Sequence, residues 1–203
     1  KVILAALRDA LDRPVSGARI LDLGCGTGLT LSLLPDDVDA VGLDYAPAAL
    51  AYAAQRAPHA RFLRGSAYQL PLDDASFDAV LALDVLEHLD DDAAALAEVR
   101  RVLRPGGVAI ITVPAFAFLW SPHDEALEHR RRYRLGQIEG LVGDAGLHVS
   151  HATHYNSVLF PAVAMARIAS RARAAIAGAP SAAGSDLRIP PAPLNGLLGR
   201  VLG

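Results

Sequence analysis

The stretch ILDLGCGTG, residues 20–28, decides the fold. Its first half is apolar, as in a buried strand, and glycines then stand at alternate positions, Gly24, Gly26 and Gly28. Glycine adopts positive φ angles at little cost and lets another molecule approach the backbone closely. A strand that ends in such a loop, with a helix after it, therefore predicts a binding turn of the nucleotide type.

The spacing of the glycines distinguishes among loops of this type. A dinucleotide fold requires G-x-G-x-x-G, whose third glycine lies where helix and strand touch, and here that position is Leu29. A P-loop requires a glycine followed by lysine, and no such pair occurs in the chain. The pattern that remains is D-x-G-x-G-x-G over residues 22–28.

This loop resembles the cofactor loop of class I methyltransferases, which use S-adenosylmethionine (SAM). SAM carries no phosphate, and the acidic Asp22 beside the loop suits its ammonium group, directly or through water. Four later segments match the same family in order and spacing. They are Asp44 after the second strand, residues 65–67 after the third, DVLEHL at 84–89 after the fourth, and RPGG at 104–107 before the fifth.

The resemblance implies a Rossmann-like, doubly wound α/β fold, whose mostly parallel sheet has about seven strands in the order 3-2-1-4-5-7-6. The sequence agrees, because strand and helix patterns alternate along the chain. After the first strand, strands are predicted at 38–43, 61–64, 79–83, 108–113 and 147–153, and helices at 2–11, 48–57, 93–103 and 134–145. No strand pattern follows residue 202, so we expect the last antiparallel strand to be missing here and the natural chain to continue past Gly203.

The resemblance also implies the cofactor contacts. Asp44 is predicted to accept both ribose hydroxyls, although it could instead cap the helix that follows. Ser66 stands where the family often has an acid that accepts from the adenine amino group, and Ala67 offers a backbone N–H to the ring. Tyr45 is a candidate to pack on the face of the adenine ring. Asp84 is a candidate to lie nearest the methionine part of SAM. The predicted cofactor-binding residues are Asp22, Gly24, Cys25, Gly26, Gly28, Asp44, Tyr45, Ser66, Ala67, Leu83 and Asp84.

The segment 114–133 is the candidate acceptor region, since the only tryptophan of the chain and several aromatic and histidine side chains lie in it. Three interpretations stay open. His123 or His129 is a general base, as imidazole titrates near neutral pH. Alternatively, these histidines and Asp124 hold a metal, although their spacing matches no standard motif and we predict none. In the third interpretation, His123 and Asp124 only fix a surface loop.

Composition limits the remaining possibilities. The 203 residues suggest one domain, with a methyltransferase core over 1–155 and a helical extension with a loop over 156–203. A net charge of −3 disfavours nucleic acid as a partner. The single cysteine, Cys25, predicts a packing role and a reducing, cytoplasmic compartment. An apolar helix over 156–177 is too short to span a membrane, but suits peripheral contact with one.

The sequence therefore predicts an enzyme that moves a methyl group from SAM to a small-molecule or lipid-linked acceptor. Two alternatives are a nucleotide-cofactor oxidoreductase, against which Leu29 argues, and a SAM-binding protein without catalytic activity that acts at a membrane or partner surface.

Overall fold

The computed structural model describes residues 2–154 and residue 165. The chain divides into two units. Unit 1 comprises Lys1–Val113 and Glu139–Val149, and unit 2 comprises Pro114–Ile138 and Ser150–Gly203. The predicted boundary at residue 155 lies at the end of the continuously described segment and stays a prediction.

Unit 1 contains a five-stranded parallel sheet. Its strands are β1 (Arg19–Leu23), β2 (Asp39–Asp44), β3 (Arg61–Arg64), β4 (Phe77–Leu83) and β5 (Leu103–Thr112). They pair in the order β3-β2-β1-β4-β5, which agrees with the first five positions of the predicted order. The central strands β1 and β4 are apolar almost throughout, as parallel strands covered on both faces should be. This sheet confirms the predicted fold class.

Five α-helices occur among the described residues: α1 (Val2–Ala10), α2 (Pro47–Arg56), α3 (Asp92–Val102), α4 (Pro122–Ala126) and α5 (Leu135–Asp144). Local sequence explains their ends. Pro47 occupies the first turn of α2, where its missing N–H removes no helical bond. The Asp91 side chain accepts from the N–H of Ala94 and so caps α3, which ends with Arg100 and Arg101 in its last turn.

The core of unit 1 lies on both faces of the sheet, because side chains along a strand alternate between faces. The first buried cluster includes Leu7 of α1, Ile20, Ala40 and Leu81, and the second includes Leu21, Val41, Val80 and Val99 of α3. Helices therefore cover both faces, and the ends of the strands are where a ligand can reach the sheet.

The predicted sixth strand at 147–153 is wrong, since these residues form no regular structure. In the predicted strand order, the sixth strand pairs only with the seventh. The described residues contain no seventh strand, so the backbone of 147–153 has no ladder in which to pair. The fifth strand also begins earlier than predicted, at Leu103 rather than residue 108.

No helix in the described part of the chain has both the length and the apolar character to cross a membrane. The predicted helix at 156–177 lies outside the described residues, apart from Met165.

Candidate functional site

The glycine loop of unit 1 connects the end of β1 to the end of β2. The N–H groups of Gly24 and Cys25 both donate to the carbonyl of Leu43, over 2.7 and 3.1 Å. The N–H of Gly26 donates to Oδ2 of Asp44 over 2.9 Å. These bonds fix the loop against the neighbouring strand before any ligand binds.

The three glycines have different surroundings, although φ is positive at each. A Cβ at Gly24 would lie 2.6 Å from Cγ2 of Val85, and a Cβ at Gly28 would lie 2.9 Å from Cα of Ala53 in α2. Nothing lies within 4 Å of a Cβ built on Gly26. Gly24 and Gly28 therefore allow close packing within the protein, whereas Gly26 borders open space that a ligand can enter.

Asp44 already has two partners of its own. Besides Gly26, its carboxylate accepts the N–H of Ala46 over 2.8 Å, just before α2. Ala46 is the N-cap residue of α2, so this bond fixes the turn before the helix and does not cap the helix itself. A carboxylate offers roughly four acceptor positions, so it retains capacity for ribose hydroxyls.

Asp22 is the unusual group of the site. Asp22 is only 3% exposed. Its carboxyl makes no hydrogen bond with any residue that the structure describes. Burial, and then the nearby charge of Asp44, raise the pKa of Asp22 to about 7. Burial makes the ionised form of this carboxyl unfavourable by itself, and a bound cation would stabilise that form.

Cys25 is a buried neighbour of this acid. Burial, followed by the charges of Asp22 and Asp44, raises the pKa of its thiol to about 12. The sulfur is therefore a neutral thiol at physiological pH and a poor nucleophile.

At the end of β4, Asp84 adopts a left-handed backbone conformation with φ of +53°. Its N–H donates to the carbonyl of Thr112 at the end of β5, and its Oδ1 accepts from the Thr112 hydroxyl, both over 3.0 Å. The side chain remains exposed. Sequence reasoning missed Thr112, whose only signal is a hydroxyl at the end of an apolar strand.

The remaining predicted cofactor residues lie at the same carboxyl edge of the sheet. Tyr45 is 75% exposed, and Arg64 fixes its backbone by donating to its carbonyl. Ser66 is exposed, and its hydroxyl accepts from the N–H of Tyr68. Ala67 and Leu83 are half-buried. Unit 1 thus brings the predicted cofactor residues to one edge of its sheet.

In the described part of unit 2, several side chains gather around the carboxylate of Asp124, which is fully buried. The backbone N–H and the hydroxyl of Ser121 donate to Oδ2 over 2.8 and 3.0 Å. Arg132 donates from Nε to Oδ1 over 2.7 Å and from Nη2 to Oδ2 over 3.0 Å. Nδ1 of His129 lies 3.0 Å from Oδ1. Five polar groups therefore surround one carboxylate.

The ionised form of Asp124 is stabilised by its neighbours. Burial opposes ionisation, but hydrogen bonds from Arg132 and His129 outweigh it and lower the pKa of Asp124 to about 2. The side chain of His123, by contrast, makes no hydrogen bond with the described residues. Of the two predicted base candidates, only His129 is held by a buried group.

Arg132 also connects this cluster to the start of the segment. Its Nη1 donates to the carbonyl of Ala115 over 3.0 Å. Tyr133 is buried, and its backbone N–H and carbonyl pair with Pro114 and Phe116. Arg132 and Tyr133 thus hold residues 114–133 together. The interpretation that His123 and Asp124 fix a surface loop stays a prediction.

Comparisons with known proteins agree with the geometry of unit 1. The family described as "Methyltransferase domain" matches residues 21–111. A probable S-adenosylmethionine-dependent methyltransferase of Mycolicibacterium smegmatis is 36% identical over 137 residues, which cover 66% of this chain and 53% of that protein. A demethylmenaquinone methyltransferase of Beutenbergia cavernae is 42% identical over 117 residues, or 55% of this chain and 48% of that protein.

A solved structure extends this likeness to three dimensions. The TehB-like SAM-dependent methyltransferase of Corynebacterium glutamicum is 30% identical, with a TM-score of 0.53, and the match covers 70% of each chain. The chain spans about half the length of the curated relatives quoted above.

Proposed function

The chain belongs to the family of S-adenosylmethionine-dependent methyltransferases, and on that premise we propose that it transfers a methyl group from SAM to a small-molecule or lipid-linked acceptor. SAM supplies both the methyl group and a positively charged leaving group. The protein therefore has mainly to bind and align the two substrates, and alignment contributes roughly 7–11 kcal/mol to such reactions.

The observation that carries this proposal is the buried carboxyl of Asp22, whose pKa burial raises, in the same loop as the open space at Gly26. A buried acid of this kind fits an ammonium group, which supplies donors and positive charge together. A diphosphate would instead be repelled by the negative charge of this carboxylate, so the charge of the site favours SAM over a dinucleotide.

We assign the remaining cofactor contacts on the same basis. Asp44 accepts the ribose hydroxyls with the lone pairs that Gly26 and Ala46 leave available. Tyr45 packs on the adenine, as its exposed ring lies directly after Asp44. Asp84 lies toward the methionine part, and its bond to Thr112 holds the carboxylate in place.

For the acceptor, we propose only its chemical class. The relative from Beutenbergia cavernae is named for demethylmenaquinone, which supports a small molecule rather than a nucleic acid. If the acceptor loses a proton, His129 is the better candidate for the base, because a buried carboxylate orients its ring. General base catalysis would then contribute about 10²–10⁴-fold.

Two measurements test the proposal. Calorimetry should detect binding of SAM and no binding of NAD, and Asp44→Ala should weaken SAM binding by roughly 1.5–3 kcal/mol, as for a lost hydrogen bond to a charged group. Asp39→Asn is the matched control, since Asp39 lies at the other end of β2.

The second measurement supplies methyl-labelled SAM together with the small-molecule and lipid fractions of a bacterial extract. Label should move into one of these fractions with wild-type protein and into neither with a SAM-binding-deficient variant. Binding of NAD but not SAM would overturn the cofactor assignment. SAM binding without transfer of label to any extract component would instead favour a non-catalytic role.

A further inference from the structure

The turn after β3, residues 66–69, is held by polar contacts more than by packing. Ser66, Tyr68 and Gln69 are exposed, and Ala67 is only half-buried. Within the turn, the N–H of Tyr68 donates to the Ser66 hydroxyl over 3.2 Å, and the N–H of Gln69 donates to the Ser66 carbonyl over 3.3 Å. A segment with so few buried apolar contacts depends on its hydrogen bonds for a fixed position.

The side chain of Tyr68 makes the bond that connects this turn to a distant part of unit 1. Its hydroxyl accepts the N–H of Asp90 over 2.8 Å and, more weakly, the N–H of Asp91 over 3.5 Å. Both N–H groups precede α3, in the connection that begins at Asp84 after β4. One phenol therefore joins the segments that follow β3 and β4, two strands that are not neighbours in the sheet.

The two ends of the turn are fixed independently of this phenol. Before the turn, the N–H of Gly65 donates to the carbonyl of Asp44 over 3.1 Å. After it, the N–H of Leu70 donates to the carboxylate of Glu98 in α3 over 2.7 Å. Loss of the Tyr68 hydroxyl therefore leaves the turn attached at both ends and changes chiefly the position of its middle.

We infer that Tyr68 is a positioning residue, whose hydroxyl determines where Ser66 and Ala67 meet the adenine edge of the cofactor. This inference rests on the proposed function and on the predicted place of those two residues beside the base. A hydroxyl and a backbone N–H are directional groups, so their hydrogen bonds weaken steeply when the turn is displaced. Tyr68 therefore contributes to the choice of base more than to the other cofactor contacts.

The preference for adenine tests this role directly. Calorimetry compares S-adenosylhomocysteine with S-inosylhomocysteine, in which an oxygen replaces the amino group of the base. Wild-type protein should prefer the adenine compound, and Tyr68→Phe should reduce that preference by about two- to tenfold, as expected for one neutral hydrogen bond. A general loss of stability would weaken both ligands alike and leave the ratio of the two dissociation constants unchanged.

Tyr52→Phe is the matched control. It removes the same hydroxyl from another exposed tyrosine of unit 1, on α2, and that hydroxyl makes no hydrogen bond with any residue that the structure describes. Its ratio of dissociation constants should equal that of wild type. An equal ratio in wild type and folded Tyr68→Phe would overturn the inference, and so would wild-type protein without a preference for adenine.

Wild-type protein offers a second measurement that needs no variant. Because the phenol joins the turn to Asp90, a base that binds residues 66–67 should slow the amide hydrogen exchange of Asp90, which NMR measures. S-adenosylhomocysteine should slow this exchange more than S-inosylhomocysteine does. Equal exchange rates with the two ligands, each at saturation, would overturn the inference even if Tyr68→Phe does not fold.

The outcomes separate this inference from the proposed function. If wild-type protein binds neither SAM nor S-adenosylhomocysteine, the proposed function fails, and the role of Tyr68 fails with it. If both bind and Tyr68→Phe retains the wild-type preference for adenine, only the positioning role is wrong.

Discussion

Raising the pH from 6 to 8 is expected to strengthen SAM binding, because of the buried carboxyl of Asp22. Burial, together with the charge of Asp44, raises the pKa of this carboxyl to about 7. Under the proposed binding mode, the ammonium group of SAM needs an ionised Asp22. Below the pKa, a proton must therefore leave before SAM binds, so affinity should increase up to about pH 7 and then level off.

The magnitude follows from the fraction of protonated protein. With a pKa of about 7, about ten in eleven molecules hold the proton at pH 6, and about one in eleven at pH 8. The dissociation constant should therefore be about tenfold larger at pH 6 than at pH 8, which corresponds to about 1.4 kcal/mol.

Isothermal titration calorimetry at pH 6, 7 and 8 measures this change, and two buffers with different ionisation enthalpies count the protons released. Asp22→Asn cannot titrate, so any pH dependence that remains in it belongs to SAM or to other groups. Asp39→Asn, at the other end of β2, should retain the wild-type dependence. Equal pH profiles in wild type and Asp22→Asn would refute the assignment of Asp22 to the ammonium group.

Three further results are expected. Because the folded-state pKa of Asp22 lies above its ordinary value of 3.8, wild-type protein should lose stability as pH rises from about 4 to about 7, and Asp22→Asn should be more stable at pH 8 by up to about 4 kcal/mol in denaturant unfolding. For Asp124, with a pKa lowered to about 2, the stabilisation is present above about pH 4 and lost as pH falls toward 2, and Asp124→Ala should cost about 3–5 kcal/mol at pH 7 because it leaves a buried guanidinium unpaired. An acid-unfolding midpoint equal to wild type in that variant would contradict this. Gly28→Ala should lower the melting temperature more than Gly26→Ala, because only the former places a methyl group against the backbone of Ala53, whereas Gly26→Ala should weaken SAM binding more.

The sequence predicts the sheet well because its signals are local. The segment 61–64 forms a strand with the predicted bounds, and β1 with its glycine loop follows directly from the spacing of Gly24, Gly26 and Gly28. The sixth strand at 147–153 could not be judged locally. A strand exists only if a neighbour pairs with it, and the apolar residues there carry no information about that neighbour.

The burial of Asp22 and the hydrogen-bond partners of Asp124 could not be predicted from the sequence either. The motif places an acid at position 22, but only packing decides that this acid is buried without a donor. No sequence pattern linked Asp124 to Arg132, yet the Asp124 carboxylate binds both His129 and Arg132. Residues five and eight positions apart meet because of the turn after α4, which the motif does not specify.

The left-handed backbone at Asp84 affects which substitutions selection for stability or for activity would favour there. Glycine occupies such a conformation more easily than any residue with a side chain, so selection for heat resistance alone favours glycine at this position. Under the proposed binding mode, in which Asp84 lies toward the methionine part of SAM, selection for turnover favours the carboxylate. Laboratory evolution that rewards survival at high temperature, with no demand on activity, should therefore replace Asp84 among its first accepted changes.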